Sequence, residues 1–355
     1  MKTRFLFSIL TLFFLISYVN AQQLISCELS KVTKTEKITL SSLVENCTFI
    51  QLDDSDDDAF FKQWFTTITD NYIGVSQHVD AAFKLFDHKG KFLGDVGSVG
   101  QGPGEYLTLY DQIIDEKNEL IYLAPFSGRK IGVFDLSGKF LREIVSPQLL
   151  RKPRMSISDG ILSVVHMPFD GDKAMAIQFD AATGKVMKQL APPKQFLVAS
   201  FDGEMFNSRN TRTLDFQHTN CDTLFHYNVK ENKIVPIFTV STGTTNSFKQ
   251  YIELKNKFIT NIFGKAIIYT DKNTKVSSKI EIVNDYYGGL HVPVNVITFR
   301  NGWFVHNLEP GELVDLVEKR MKESSCTAQD KEKLKKLLSS IDEEGNNVVF
   351  LGKLK

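Results

Sequence analysis

Phe86-Asp87-His88-Lys89-Gly90-Lys91-Phe92-Leu93 returns as Phe134-Asp135-Leu136-Ser137-Gly138-Lys139-Phe140-Leu141, and more loosely as Phe179-Asp180-Ala181-Ala182-Thr183-Gly184-Lys185-Val186. Fainter echoes open at Tyr227 and Tyr269, so the anchoring aromatics stand 48, 45, 48 and 42 residues apart. A period of that length signals an array of supersecondary units. Within each unit an aromatic strand end, a polar Asp/Asn/Gly turn and a fresh apolar run spell a β-hairpin. Roughly 40 to 50 residues hold the four strands of one propeller blade. From about Phe60 to Glu309, apolar runs alternate with turn signals such as Asp159-Gly160, Asp170-Gly171 and Asp202-Gly203, with few long helical periods. This is the pattern of an all-β repeat array.

The pattern changes near Pro310. Leu313, Leu316, Val317 and Met321 share one helical face, as do Leu334, Leu337, Leu338 and Ile341. Thr327 with Asp330 forms an N-cap pair for the second helix. Beyond Gly345, Val348-Val349-Phe350-Leu351 reads as a strand. A circular array closes by bringing its ends together, so this run and a strand near residues 47 to 52 are expected in the closing region. The expected division is residues 1–21 a signal peptide, 22–58 an N-terminal segment with the closing strand, 59–309 the blades, and 310–355 the helices and final strand.

Met1-Lys2-Thr3-Arg4 is a basic n-region, and Phe5 to Val19 is an uncharged, mostly apolar run too short for a confident membrane span. Two processing sites compete. Val19-Asn20-Ala21 has the small-residue pattern of ordinary signal peptidase cleavage, and Leu24-Ile25-Ser26-Cys27 resembles a bacterial lipobox that would lipidate Cys27. The polar residues 20–23 part Cys27 from the apolar run, which favours cleavage after Ala21. The chain is therefore expected to be exported, periplasmic or secreted, with an outer-membrane lipoprotein as the alternative and no transmembrane span in the mature protein.

Removing Lys2 and Arg4 from 42 basic and 42 acidic side chains leaves 40 against 42, a formal charge of −2. That balance argues against a nucleic-acid partner. Cys27, Cys47, Cys221 and Cys326 show no CxxC spacing, which argues against a thiolate zinc site. An oxidising compartment permits a disulfide, and Cys27 with Cys47 is the closest pair in sequence.

Gly97-Ser98-Val99-Gly100-Gln101-Gly102-Pro103-Gly104-Glu105-Tyr106, flanked by the two best repeat phrases, closely resembles the bacterial exported six-bladed β-propeller family, related in architecture to TolB-like and NHL-repeat propellers. Leu40-Ser41-Ser42-Leu43-Val44, Asp222-Thr223-Leu224-Phe225, Asn284-Asp285-Tyr286-Tyr287-Gly288-Gly289 and Asn346-Asn347-Val348-Val349 look like further landmarks of that family. The resemblance implies a six-bladed β-propeller with a short C-terminal helical insertion and a closing strand, and an envelope or secreted location. It brings no catalytic motif.

The glycine-rich loop lacks a following Gly-Lys-Ser/Thr, and Pro103 removes a donor, so it is read as a blade link rather than a phosphate cradle. If it carries a surface function, Gln101, Glu105 and Tyr106 can hydrogen-bond or stack. The acidic run from Asp53 to Asp58 offers oxygen ligands but departs from an EF-hand, with Asp58 in place of glycine and Trp64 in place of glutamate. Seven histidines are scattered through the blades, of which His166, His218 and His306, in or beside apolar runs, are the candidates for a metal site. Buried, hydrogen-bonded histidines are the structural alternative. GxSxG is not met around Ser98. The reading that results is a binding or interaction module of the bacterial cell envelope, for protein or glycan, with no cofactor expected. A metal-dependent hydrolase or lyase at the channel mouth, using a divalent metal, is the alternative.

Overall fold

The computed structural model describes residues 24–77, 80–243 and 247–355. These form six four-stranded antiparallel blades around one axis. Blade 1 comprises Gln63–Ile68, Tyr72–Gln77, Phe83–Asp87 and Phe92–Val96, and blade 2 Leu109–Asp115, Leu120–Pro125, Ser127–Asp135 and Phe140–Arg151. Blade 3 comprises Arg154–Ser158, Ile161–Val165, Ala176–Asp180 and Val186–Leu190. Blade 4 is Met205–Phe206, Leu214–His218, Thr223–Asn228 and Lys233–Ser241, and blade 5 Lys249–Glu253, Lys257–Ile262, Ala266–Asp271 and Ser277–Asn284. Blade 6 combines Phe299–Arg300, Trp303–Leu308 and Val348–Lys353 with Thr48–Gln51 from the other end of the chain.

The recurring phrase is the turn between the third and fourth strands. In blade 2, Asp135 Oδ1 accepts from the amides of Ser137 (2.9 Å) and Lys139 (3.0 Å), while the Gly138 amide returns to the Asp135 carbonyl at 3.0 Å. The donors, led by the Ser137 side chain, hold the Asp135 carboxyl below its ordinary range. Gly138 has φ +84, and a Cβ on it would stand 2.3 Å from the Asp95 carbonyl oxygen at the end of blade 1. Gly90 repeats the arrangement against blade 6, its carbonyl accepting from the Asp53 amide at 2.8 Å. The glycine thus serves backbone conformation and blade-to-blade approach together. The aromatic that opens each phrase fills the core: Phe86, Phe134, Phe179 and Tyr227 are fully buried. Between blades 4 and 5, Phe238 and Phe258 stack at 4.3 Å with rings 5° apart.

Closure is antiparallel. Val348, Val349, Phe350 and Leu351 pair with Gln51, Ile50, Phe49 and Thr48, so blade 6 has no third-to-fourth turn and no repeat phrase. The N-terminal segment does more than the sequence suggested. Ile25–Glu28 and Thr35–Thr39 add a fifth, parallel strand outside blades 4 and 5 before the chain reaches blade 6.

Helices α1 (Pro310–Lys322) and α2 (Ala328–Leu338) are inserted between the second and third strands of blade 6. The expected Thr327–Asp330 capping box is present, and Leu313, Val317, Leu334 and Leu337 bury against Leu290, Val292 and Phe350. Among the described residues no helix is long and apolar enough to cross a membrane.

Two glycines separate the conformational from the steric role. Gly160 has φ +75 but open space around its Cβ position. Gly160→Ala should cost about 1 kcal/mol and Gly138→Ala about 2–4 kcal/mol in chemical denaturation. Equal losses would remove the blade-to-blade contact from the account.

Candidate functional site

All six innermost strands run the same way, so the turns that follow them gather on one face. Residues 67–70, 113–116, 156–159, 209–213, 254–257 and 301–303 line the channel mouth there. Five of these connections are short. In blade 4 the inner strand stops at Phe206, and residues 207–213 cross the mouth as a strap before Leu214.

The strap is fastened on several sides. The buried Asp215 carboxylate accepts from the Ser208 amide (2.8 Å), the Ser208 hydroxyl (2.6 Å) and the Arg209 amide (2.8 Å), holding Arg209 at φ +51. Such a left-handed conformation in a long side chain costs free energy and persists where surrounding bonds impose it. Burial, then the neighbouring Glu253 charge, raise the Asp215 carboxyl above its ordinary range, against those donors. Asn210 reaches blade 6, donating to the Phe299 carbonyl (3.0 Å) and accepting from the Gly302 amide (2.8 Å), while the Asn301 amide donates to the Ser208 carbonyl at 2.9 Å. Arg209 crosses to blades 2 and 3, donating to the carbonyls of Gln112 (2.9 Å) and Met155 (3.3 Å). The strap divides the mouth into cavities of about 820 Å³ toward blades 1–3 and about 610 Å³ toward blades 5 and 6.

Beneath the strap lies a charge hub. Asp111 Oδ1 accepts from Arg154 (3.5 Å) and Arg300, and Oδ2 from Arg209 (3.3 Å) and the Met155 amide (2.7 Å). All four lone-pair positions of one carboxylate are thereby used. Desolvation alone would raise the Asp111 carboxyl, but the guanidiniums of Arg209, Arg300 and Arg154 hold it below its ordinary range. Arg154 also donates to the carbonyls of Met205 (2.7 Å) and Tyr110 (2.8 Å), and its guanidinium lies 4.2 Å from the Tyr110 ring centre. Three cations share one anion, and Arg209 Nε and Arg300 Nε have no hydrogen-bond partner. Burial, then the Arg209 charge, push Arg300 down to about 9.

The family described as Domain of unknown function (DUF4934) matches residues 24–353. The chain belongs to the DUF4934 family. Its fold is similar to that of a protein described as exported from Bacteroides fragilis, at 16% identity and a TM-score of 0.64, covering 94% of this chain and 100% of that one. A DUF4221-family protein from Bacteroides vulgatus gives 12% identity and a TM-score of 0.47, covering 88% and 98%. Virginiamycin B lyase from Staphylococcus aureus gives 13% and 0.45, covering 66% and 74%. These likenesses concern the fold alone, and the last two are too distant to carry an argument. No curated protein matches the sequence.

In this DUF4934 propeller the residues singled out from sequence lie away from the mouth. The glycine-rich loop links blades 1 and 2. Tyr106 is buried, its hydroxyl accepting from the Phe83 amide at 2.7 Å and donating to the Val96 carbonyl. Glu105 accepts from the Gly102 amide at 2.7 Å, while Gln101 is exposed on the loop. His166, His218 and His306 stand in blades 3, 4 and 6 and are not brought together. His166 is bonded to Gln148 and to the carbonyls of Met167 and Ala174. His218 packs on Phe196 and accepts from the Asn220 amide, and His306 neighbours Phe350. Among the described residues no three His, Cys, Asp or Glu side chains converge to hold a metal ion; His78 and residues 1–21 lie outside that description. Asp53 and Asp56 are engaged by the amides of Ser55, Phe92 and Asp58. All four cysteines are free, with Cys27 buried beside blade 4 and Cys47 beside Asn284. Sequence reading passed over Asp111, Arg154, Arg209 and Arg300. The signal available was a charge interrupting an apolar inner-strand run, as in Phe299-Arg300.

Asp111→Asn should destabilise the fold by about 3–5 kcal/mol, because it leaves three buried guanidiniums without a counter-charge. An effect below about 1 kcal/mol in urea denaturation would contradict the hub. His218 gives a second handle. Burial, then the Lys152 charge, lower its pKa to about 4. Between pH 6.5 and 4 the unfolded chain takes up this proton and the folded one does not, so stability falls with pH across that window. At pH 5 the group accounts for about 2 kcal/mol. His218→Gln should flatten the stability profile over that window, and an unchanged slope would contradict it.

Proposed function

We propose that this chain is an exported binding module of the bacterial envelope that captures its ligand in the strap-divided mouth. The observation that carries this reading is the strap. A seven-residue crossing held to blades 2, 3 and 6 turns an open channel end into two concave sites. Their volumes fall in the range of small-ligand pockets. Propeller blades are rigid, and loops at a channel mouth are where such scaffolds place recognition.

Export is supported by the basic and apolar N-terminal segment. Ordinary cleavage after Ala21 fits better than lipidation, since Cys27 is 5% exposed inside Ile25–Glu28, with Ile25 paired to Phe238. Lipidation would remove half of that strand and attach an acyl glycerol to a sulfur within the core. Mass spectrometry of the mature protein should find Gln22 at its N-terminus; a lipid-modified Cys27 there would contradict this.

A panel of neutral and acidic oligosaccharides and envelope peptides, titrated against the mature protein, tests the site. Thr211→Trp, which fills the mouth, should abolish binding. Phe201→Ser, on the opposite face among the blade links, should preserve it. The reverse pattern would move the site to the opposite face.

A further inference from the structure

We propose that the smaller cavity, between the strap and blades 5 and 6, binds an oligosaccharide bearing carboxylates. This rests on the reading of the mouth as a ligand site and names the ligand's chemistry. Arg209, Arg212, Lys255, Lys257 and Lys355 line this space of about 610 Å³, and no Asp or Glu side chain does. Arg212 is exposed and has no hydrogen bond or ion pair among the described residues. Lys257 lies 4.9 Å from the Tyr269 ring centre, and Lys355 donates to the Ser41 carbonyl at 2.7 Å.

Arg209 is the deepest cation. Its side chain is 8% exposed and lines the cavity, and its Nε has no hydrogen-bond partner. Its ion-pair partner Asp111 is shared with Arg154 and Arg300, and Asp215 stands nearby. A buried positive charge at the floor of a cation-lined recess favours an anionic group above it, and low-dielectric walls strengthen the attraction. The wall also carries the amides of Asn256 and Asn301, which offer donors and acceptors to hydroxyls, beside apolar surface from Leu43, Leu254 and Leu354 on which the C–H face of a sugar ring can pack. Carboxylates with hydroxyls describe a uronic oligosaccharide. Across the strap, Asp70, Asp115, Glu116 and Asp159 line the larger cavity together with Arg209, Arg212 and Lys353. Carboxylates outnumber cations there and are absent from the lining of the smaller cavity, which makes the side of blades 5 and 6 the more favourable one for an acidic ligand.

The test is calorimetric titration of the mature protein with trigalacturonate and with maltotriose. Trigalacturonate should bind, weaken about tenfold between about 50 and 300 mM salt, and weaken at least about tenfold again in the Arg212→Glu/Lys255→Glu variant. That variant should keep the wild-type melting temperature. Maltotriose should not bind. If maltotriose binds as well as trigalacturonate and Thr211→Trp blocks both, the acidic specificity is overturned while the mouth remains the site. If neither sugar binds the wild type, the inference is overturned, and the panel with Thr211→Trp judges the mouth separately. Binding of trigalacturonate unaffected by either variant overturns both.

Discussion

One carboxylate near the axis, Asp111, sets the geometry of the mouth. Its two oxygens take guanidinium donors from blades 3, 4 and 6. A lone buried arginine would be expelled or would drag solvent inward, and three together would repel one another. Around Asp111 of blade 2 they become cross-braces, Arg154 to the next blade and Arg209 and Arg300 to blades 4 and 6, which are not its neighbours in sequence. Arg209 is the brace that joins the hub to the mouth, because its backbone belongs to the strap and its side chain to the hub. Fixing the hub therefore fixes where the strap crosses and how the mouth is divided.

The outer circumference meets the opposite problem, that of leaving no weak seam. Thr48–Gln51 supplies the last strand of blade 6, and the segment before it runs outside blades 5 and 4. The chain thus holds its own closing region from outside, and the outer edges of blades 4 and 5 are covered rather than left as free edges. The helical hairpin adds an apolar lid over the same sector, with Arg320 donating to the Gly288 carbonyl at 3.0 Å. The inner face of that sector carries the cation-lined cavity.

Much of this fold was legible because the decisive interactions are local. The Asp-x-x-Gly-Lys turn writes its own hydrogen bonds within five residues, and the aromatic before it marks a buried strand end. Blade 6 was faint because its third and fourth strands come from opposite ends of the chain, so no turn joins them. The parallel strands Ile25–Glu28 and Thr35–Thr39 left no signal, since their partners lie more than two hundred residues away. The candidate site was hidden for the same reason. Asn207 to Thr213 reads as a polar loop, and nothing in its letters says that it is bonded to blades 2, 3 and 6. The glycine-rich loop drew attention through composition, yet the Tyr106 hydroxyl is consumed by two backbone partners.

The strap divides the mouth as a fixed partition rather than a mobile cover. Amide hydrogen exchange, read residue by residue on the ligand-free protein, tests this most directly. The amides of Ser208, Arg209, Asn301 and Gly302 all donate within the strap's attachments. They should exchange as slowly as the inner strands of the blades. Exchange of Ser208 and Arg209 at the rate of exposed turns would mean that the strap opens freely, and the two-cavity mouth would no longer describe the protein.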